Sequence, residues 1–432
     1  MNLDQLHPRE QIARIMQRVY RFGMTTTSGG NISVRDRDGS IWITPGGVDK
    51  GVIGASEIVH VTPHGIAEGL HKPSSELPFH LEIYNRRPDV CAVLHGHPAA
   101  LVAFSIVRQV PDTATIPQAR FVCGKVGYAP YALPGSAELG HSVAAIFAGG
   151  ANSVIMENHG TVVAGNTLSQ AFQRFETLEF CARTILEATS IGTPRTLTEA
   201  ELRVFEAKVA ALAELDHYSP SSVEKETRSH LRDMVRRAYR QRLITSTYGT
   251  FSARVEDGFL ITPFGIDRYY VEREDFVFVR NGKRQPGRTP SRSVRVHQKL
   301  YDEHPQIGSI ISAQTPAATA FAVVGRTLET RTIPESYVML GDIPVVPFGD
   351  QFSGGDKISA KLSSGSPVLL LANDTILVTG AGLTETFDRL EVCEFSAHSL
   401  IQSHRIGEVI PMSGEEIDAL NREMELRARE GS

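Results

Sequence analysis

The sequence lacks the features that mark several classes of protein. Its 44 Lys and Arg residues are outnumbered by 49 Asp and Glu residues, so no basic excess indicates nucleic acid or an anionic membrane as a partner. No apolar run approaches the roughly 20 residues that a membrane-spanning helix requires. The opening residues, MNLDQLHPRE, lack a basic segment followed by an apolar one, so we expect no secretory signal.

Cysteine is scarce as well. The chain has four cysteines, which are widely separated and form no CxxC pair: Cys91, Cys123, Cys181 and Cys393. This distribution argues against a disulfide framework and favours a reducing, cytoplasmic location. We expect these residues to be small buried apolar side chains rather than nucleophiles.

An internal repeat organises the 432-residue chain. Residues 73–84 match residues 290–301 at an offset of 217 positions (301 less 84). The same or a nearby offset pairs Pro88 with Pro305, Phe104 with Phe321, Ile116-Pro117 with Ile333-Pro334, and Ile43-Thr44-Pro45 with Ile261-Thr262-Pro263. Because so many separated matches share one offset, we predict two tandem copies of one domain, residues 1–215 and 216–432.

Each copy mixes helical and strand patterns. In the first copy, the spacing of apolar residues predicts helices over residues 9–22, about 74–85 and 168–188, and strands over 90–97 and 154–163. Helices and strands alternating on this scale indicate an α/β fold, in which helices pack in layers on a sheet.

Three histidines are candidate metal ligands. His95-Gly96-His97 ends an apolar run that reads as a buried strand, and side chains two residues apart on a strand share a face. His159 ends another apolar run. Three neutral imidazoles leave a position open for substrate, as catalytic zinc sites require. Surface or loop histidines are the alternative interpretation.

Glu76 is a fourth candidate, as a metal ligand or a proton shuttle. It lies in Lys72-Pro-Ser-Ser-Glu76, which has the composition of a helix start. A carboxylate there is also favoured by the helix dipole alone, so a purely structural role stays open. His80 lies one turn later on the same face, and packing or support is the interpretation we favour for it.

Small residues and exposed amides suggest an anion site in the first copy. Ser74 and Ser75 lie at a predicted helix start, where backbone N–H groups are free. The turns Ser28-Gly29-Gly30-Asn31 and Thr44-Pro45-Gly46-Gly47 offer further concavities of the kind that hold phosphate.

The motifs SGGNIS, ITPGG, KPSSE, HGHP and ENHG, in this order, resemble the class II aldolase/adducin family. The resemblance implies a three-layer α/β/α sandwich on a mixed, largely antiparallel sheet, present twice in tandem. It implies that the zinc ligands are His95, His97 and His159 and that the catalytic carboxylate is Glu76. It places substrate phosphate at Gly30, Asn31, Gly47, Ser74 and Ser75.

The resemblance also implies an activity. A ketose 1-phosphate would be cleaved to dihydroxyacetone phosphate and an aldehyde through a metal-stabilised enediolate, with Zn²⁺ as the expected cation and Mn²⁺, Co²⁺ or Fe²⁺ as alternatives. An epimerase or a decarboxylase of sugar phosphates is an alternative, and so is an adducin-like binding module without catalysis. The expected partner is a small sugar phosphate.

Two positions of the first copy depart from the pattern of the family. Gly46 stands where fuculose-type aldolases usually have a hydroxyl residue, and Phe121 lies near the position of a catalytic tyrosine that a neighbouring subunit offers. Tyr337 of the second copy aligns one position before Phe121. We therefore predict that Tyr337 is the acid that protonates the leaving aldehyde, in a homo-oligomer such as a dimer with a pseudo-four-fold ring. An ordinary packed aromatic side chain near a strand end is the alternative interpretation.

The second copy is predicted to bind no catalytic metal. By the repeat offsets, Glu76 and the three candidate metal histidines are replaced by Ser293, Ser312, Gln314 and Asp374. These side chains cannot form a comparable nitrogen-rich zinc site.

Overall fold

The computed structural model describes residues 3–207 and 211–430, and the chain divides into two compact units, Met1–Arg183 and Thr184–Ser432. This division falls inside a helix that continues to Thr189. The boundary between repeats that the sequence indicates, after residue 215, stays a prediction.

The first unit is an eight-stranded sheet with helices. Its helices are α1 (Pro8–Arg21), α2 (Leu77–Arg86), α3 (Ala99–Ile106), α4 (Pro117–Cys123), α5 (Ala137–Ala148) and α6 (Leu168–Thr189). Its strands are β1 (Asn31–Arg35), β2 (Ile41–Ile43), β3 (Val59–Val61), β4 (Ala67–Glu68), β5 (Ala92–Gly96), β6 (Gly127–Ala129), β7 (Ser153–Met156) and β8 (Gly160–Gly165).

The strand order β4-β3-β2-β1-β5-β8-β7-β6 puts the ends of β1, β5 and β8 side by side. All neighbours are antiparallel except β6 and β7. Asn31 pairs with His95, and His95 pairs with Val162 on its other side. The middle of the sheet therefore brings together residues that are far apart in the sequence.

A hydrophobic core lies between this sheet and helices α2 and α5. Phe79 and Ile83 of α2 and Val143 of α5 pack with Val93 and Val162 of the sheet, and all are almost fully buried. At about 25 cal/mol for each Å² of apolar surface, each such side chain contributes about 1.5–3 kcal/mol. This packing fixes α2, and Glu76 is the residue directly before its first turn.

The second unit contains a nine-stranded sheet. Its helices are α7 (Glu199–Glu206), α8 (Ser222–Arg240), α9 (Val294–Glu303), α10 (Pro316–Val324), α11 (Pro334–Leu340), α12 (Asp350–Ser353), α13 (Asp356–Lys361), α14 (Leu383–Ile406) and α15 (Gly414–Glu430). Its strands are β9 (Ala213–Glu214), β10 (Thr250–Val255), β11 (Gly258–Ile261), β12 (Val277–Arg280), β13 (Lys283–Arg284), β14 (Ser309–Ala313), β15 (Val345–Val346), β16 (Val368–Leu371) and β17 (Thr375–Gly380).

The two sheets have equivalent topologies. The order β15-β16-β17-β14-β10-β11-β12-β13 repeats that of the first unit in reverse, and β9 adds one edge strand. Thr250 pairs with Ser312 as Asn31 pairs with His95. The predicted fold, an α/β architecture on mixed, largely antiparallel sheets, is therefore confirmed.

The predicted elements of the first unit are mostly confirmed, with two differences. The prediction of one strand over residues 154–163 is wrong, because β7 and β8 form an antiparallel pair with a turn between them. Helix α2 begins at Leu77 rather than near Ser74. The reason is that Pro73 bridges to Pro45 and the Ser74 amide donates to the Thr44 carbonyl, which holds this segment extended.

The cysteine side chains differ in burial. Cys123, Cys181 and Cys393 are buried free thiols, as predicted, whereas Cys91 is only half-buried. Over the described residues, no helix is both long enough and apolar enough to cross a membrane.

Candidate metal centre

His95, His97 and His159 converge in the first unit. His95 lies on β5, His97 follows its end, and His159 lies in the turn between β7 and β8. One ligand nitrogen from each can be chosen so that all lie within 4.8 Å of one another. Among residues 3–207 and 211–430, this is the one group of three or more His, Cys, Asp or Glu side chains close enough to hold a metal.

The orientation of His95 is set by a backbone contact. Its Nδ1 lies 2.9 Å from the carbonyl oxygen of Thr161. A carbonyl only accepts, so Nδ1 carries the proton and Nε2 presents its lone pair to the site. Nε2 is buried and has no hydrogen-bond partner. This is the arrangement expected of a metal-binding imidazole.

The three imidazoles are held in their neutral form. Burial lowers the pKa of His95 well below its usual value, and His97 and His159 lower it further. Burial, with a smaller effect of His159, lowers the pKa of His97 to about 4. Burial also lowers the pKa of His159, although Glu76 opposes this effect. Neutral imidazole is the form that binds a cation, so the cluster needs no deprotonation near pH 7.

The Glu76 carboxylate faces the same space. Its Oε2 atom lies 3.3 Å from Nε2 of His95, and its Oε1 atom lies 3.3 Å from Nε2 of His159. Asn31 donates from Nδ2 to Oε2 at 2.6 Å, whereas Oε1 is buried without a hydrogen-bond partner. The unpaired buried atoms Nε2 of His95 and Oε1 of Glu76, beside two further imidazoles, fit a divalent cation.

Gly29 and Gly30 approach the histidines closely. A Cβ atom on Gly29 would lie 2.9 Å from Nδ1 of His97 and 2.7 Å from the Thr26 hydroxyl. Gly30 has a φ of +69°, and a Cβ atom there would lie 2.8 Å from the carbonyl oxygen of His95. The sequence predicted both glycines only as parts of an anion-binding turn, and their close approach to the clustered histidines was missed.

The candidate phosphate residues Gly47, Ser74 and Ser75 lie along two adjacent segments. The Gly46 amide donates to the Lys72 carbonyl at 3.2 Å, which places the turn with Gly47 beside the helix start. The Ser74 hydroxyl is buried and accepts from the Glu76 amide at 3.3 Å, whereas Ser75 is exposed. The remaining candidates, Gly30 and Asn31, lie next to the histidines, and the Asn31 amide is bonded to Glu76.

Lys50 is a buried cation that sequence reasoning missed. Its Nζ atom donates to the Pro45 carbonyl at 2.5 Å, and its backbone amide donates to the Thr27 carbonyl. Burial lowers the pKa of Lys50 to about 8. It thus joins the two turns that the sequence singles out for phosphate. No spacing motif identifies it, although Arg268 occupies the equivalent place in the second unit and also bonds carbonyl groups.

Tyr337 and Phe121 lie on short helices of different units. Phe121 is 58% exposed on α4. Tyr337 is half-buried on α11. The part predicted for Tyr337 in the reaction stays a prediction.

The second unit fills the equivalent positions with a hydrogen-bonded network. Tyr248, which stands where the first unit has Gly29, donates its hydroxyl to Asp374 at 3.2 Å. Gln351 donates to the other oxygen of that carboxylate at 3.1 Å, and Gln314 donates to the Asp374 carbonyl at 3.0 Å. Burial raises the pKa of Asp374 to about 6.

Known proteins resemble both halves of the chain. The family described as class II aldolase and adducin N-terminal domain matches residues 10–186 and again residues 229–401. The 5-deoxy-D-ribulose 1-phosphate aldolase of Bacillus thuringiensis is 33% identical over 45% of this chain and 91% of the relative. The L-fuculose phosphate aldolase of Methanococcus vannielii is 34% identical over 40% of this chain and 93% of the relative.

A third relative has a different activity. The 3-oxo-tetronate 4-phosphate decarboxylase of Pectobacterium atrosepticum is 33% identical over 41% of this chain and 83% of its own length. The family segments together span most of the described residues and include every strand of both sheets except β9. The chain therefore belongs to the class II aldolase and adducin family, and its first unit carries the three-histidine cluster expected of a divalent metal site.

Proposed function

We propose that this protein is a metal-dependent aldolase, which cleaves a ketose 1-phosphate to dihydroxyacetone phosphate and an aldehyde in its first unit. The observation that carries the proposal is the Glu76 carboxylate, which lies 3.3 Å from two of three clustered neutral histidines. Relatives that are sugar-phosphate aldolases support the choice of reaction and of substrate class.

The residues have separate parts in this proposal. His95, His97 and His159 would hold the cation, which we expect to be Zn²⁺. When bound, it supplies a positive charge that stabilises the negative charge developing on the substrate carbonyl oxygen. Glu76 moves the proton at the carbon next to that carbonyl, since its Oε1 atom has no hydrogen bond to give up.

The substrate phosphate would bind at the turns beside this cluster. Gly30 and Gly47, the hydroxyl of Ser74 and the exposed Ser75 offer donors to the phosphate oxygens, whereas the Ser74 amide is bonded to the Thr44 carbonyl. The buried ammonium group of Lys50 adds positive charge near these turns, in a setting where water screens it little.

A decarboxylase is the second candidate, and one observation favours it. Phe121 offers no proton where the family's aldolases have a tyrosine hydroxyl. Aldol cleavage must protonate the oxygen of the departing aldehyde, whereas loss of carbon dioxide needs no such acid. The related decarboxylase acts on a sugar-acid phosphate, so the same phosphate turns and the same carboxylate would serve.

A direct comparison of substrates tests the function. Protein loaded with Zn²⁺ would be supplied with dihydroxyacetone phosphate and a panel of short aldehydes, and condensation measured. In parallel, release of carbon dioxide from 3-oxo acid phosphates would be measured. We expect condensation to be faster and to vanish in His95→Ala but not in His64→Ala, an exposed histidine outside the cluster. Carbon dioxide release without condensation would support the decarboxylase instead.

The oligomeric state and Tyr337 are part of the same proposal. We expect a homo-oligomer, such as a dimer with a pseudo-four-fold ring, in which Tyr337 protonates the leaving aldehyde. Tyr337→Phe should then lower kcat sharply and leave metal content and Tm nearly unchanged. Unaltered turnover, or a monomer in sedimentation, would exclude this part while leaving the metal site intact.

A further inference from the structure

A buried row of side chains leads from the core of the first unit to Glu76. The hydroxyl of Tyr84 lies 2.7 Å from that of Ser33, which lies 2.7 Å from Nδ1 of His80. Nε2 of His80 lies 2.5 Å from Oδ1 of Asn31, and Nδ2 of Asn31 donates to Glu76 at 2.6 Å. We call Tyr84, Ser33, His80 and Asn31 the support chain.

The donor and the acceptor of each hydrogen bond in the support chain can be assigned by starting from the Glu76 carboxylate. The carboxylate only accepts, so Asn31 must turn its NH₂ group to Glu76 and its carbonyl oxygen to His80. His80 therefore donates from Nε2. Burial lowers the pKa of His80 to about 3, so the ring is neutral and Nδ1 accepts from Ser33. Ser33 in turn accepts from Tyr84, and all four bonds point toward the carboxylate.

The shared direction of these hydrogen bonds fixes the orientation of each side chain. Each partner can form its bond in one orientation only, because a flipped Asn31 amide would set its NH₂ group against the N–H of His80 and its oxygen against the carboxylate. Aligned hydrogen bonds also strengthen one another in a buried setting. The Glu76 side chain is thereby held with Oε2 toward His95 and Oε1 toward His159.

The second unit repeats the Tyr, Ser and His members of the support chain but lacks the Asn and the carboxylate. The Ser252 hydroxyl lies 2.7 Å from Nδ1 of His297 and 2.8 Å from the Tyr301 hydroxyl, which repeats the first unit. Nε2 of His297 instead lies 3.3 Å from the hydroxyl of Ser312. At the position of Glu76 stands Ser293. The Ser–His–Tyr group thus belongs to the framework that both units share. Only the first unit, which has the Glu76 carboxylate, extends this group through an Asn.

We propose that Asn31 and His80 are positioning residues that hold the Glu76 carboxylate in the orientation it needs for proton transfer, an inference that rests on the proposed function of the first unit. In this account the Asn31 side chain serves Glu76 rather than the substrate phosphate. Positioning within a fraction of an ångström is worth large factors in rate, so the loss should appear in kcat.

Three variants test the proposal. Asn31→Thr introduces the residue that the second unit has at the paired position, Thr250, so the fold accommodates it. His80→Gln can keep only one of its two partners. His297→Gln is its matched control, because His297 is equally buried and its Nδ1 also bonds to a serine that bonds a tyrosine. Both Gln variants should lower Tm by similar amounts, whereas only His80→Gln should lower kcat.

The expected kinetic effect separates positioning from phosphate binding. Losing a hydrogen bond to a charged group lowers the rate by about 10- to 100-fold, so Asn31→Thr should lower kcat by that factor. KM for the phosphorylated substrate should change less than about twofold, since binding is not affected. A higher KM with unchanged kcat would overturn the proposal and would assign Asn31 to the phosphate.

A second readout needs no substrate. The visible absorption of Co²⁺ bound to the protein reports the groups around the ion, and Glu76 faces that site. We expect Asn31→Thr and His80→Gln to change this spectrum, and His297→Gln to leave it as in the wild type. Unchanged spectra in all three would overturn the proposal even if the wild type is active. Wild-type protein that binds no Co²⁺ would overturn the proposed function, and the inference with it.

Discussion

The Oε2 atom of Glu76 and the Nε2 atom of His95 lie 3.3 Å apart, and each presents a lone pair to the other. Nδ1 of His95 carries the proton of that ring, because it bonds to the Thr161 carbonyl. Two facing acceptors repel each other unless a proton or a cation lies between them. The pair is therefore complete only with a positive species, and the neighbouring histidines make a divalent metal the natural one.

Metal content should be about one transition-metal ion for each chain. The first unit has a suitable cluster, and the described part of the second has none. His95→Ala should abolish tight binding, whereas Gln314→Ala, a change at the position equivalent to His97, should leave it intact. Elemental analysis after gel filtration measures both. Two ions per chain, or loss of metal in Gln314→Ala, would contradict the assignment to the first unit.

Glu76→Gln should separate metal binding from turnover. The amide keeps an oxygen near the histidines but cannot take up a proton, so metal content should persist while kcat falls by about 100-fold or more. Ser293→Ala changes the equivalent position of the second unit and should leave kcat unaltered. A Glu76→Gln variant with nearly normal kcat would show that another group moves the proton.

Acidification should destabilise the metal-free protein between about pH 6.5 and pH 4. Burial lowers the pKa of His80 and His297 to about 3 and that of His97 to about 4 in the folded state. The unfolded chain, with histidine pKa values near 6.5, then binds protons that the folded chain does not. The free energy of unfolding is therefore at its full value above about pH 6.5. As the pH decreases below this value, it falls by about 1.4 kcal/mol per pH unit for each such histidine.

Urea unfolding at pH 7 and pH 5.5 measures this slope. His297→Gln removes one of these buried histidines and should make the slope shallower, in addition to any loss of stability that is the same at both pH values. Excess Zn²⁺ should raise stability at pH 7, since it binds only the folded cluster. A free energy of unfolding that does not change between these pH values would show that the buried histidines titrate normally.

Ser75→Ala should weaken binding of the phosphate group. Ser75 is exposed, so its loss should not disturb the fold. A hydrogen bond to a charged group contributes about 1.5–3 kcal/mol, so KM for a phosphorylated ketose should rise by about tenfold or more. The same ketose without phosphate is the control, and its KM should not change. Equal effects on both substrates would place the phosphate elsewhere.

The positions of His95 and His97 could be predicted from the sequence because a strand has a period of two, and the apolar run marks the strand. The single strand predicted over 154–163 was wrong for a local reason. Asn158 adopts a left-handed φ of 52°, and no apolar pattern reveals such a turn. The bond between Asn31 and Glu76 was also beyond prediction, because sheet register and helix packing, rather than local spacing, bring these residues together.

Gly29 lies beside His97 of the histidine cluster in the first unit and is replaced by Tyr248 in the second. A methyl group on Gly29 would lie 2.9 Å from Nδ1 of His97 and 2.7 Å from the Thr26 hydroxyl, so the imidazole must move. Gly29→Ala should weaken metal affinity by about tenfold or more, in keeping with the effect of disturbing ligand orientation. Gly382→Ala, where a Cβ atom meets nothing within 4 Å, is the control and should bind normally. Unchanged affinity in Gly29→Ala would mean that His97 can shift without cost to the site.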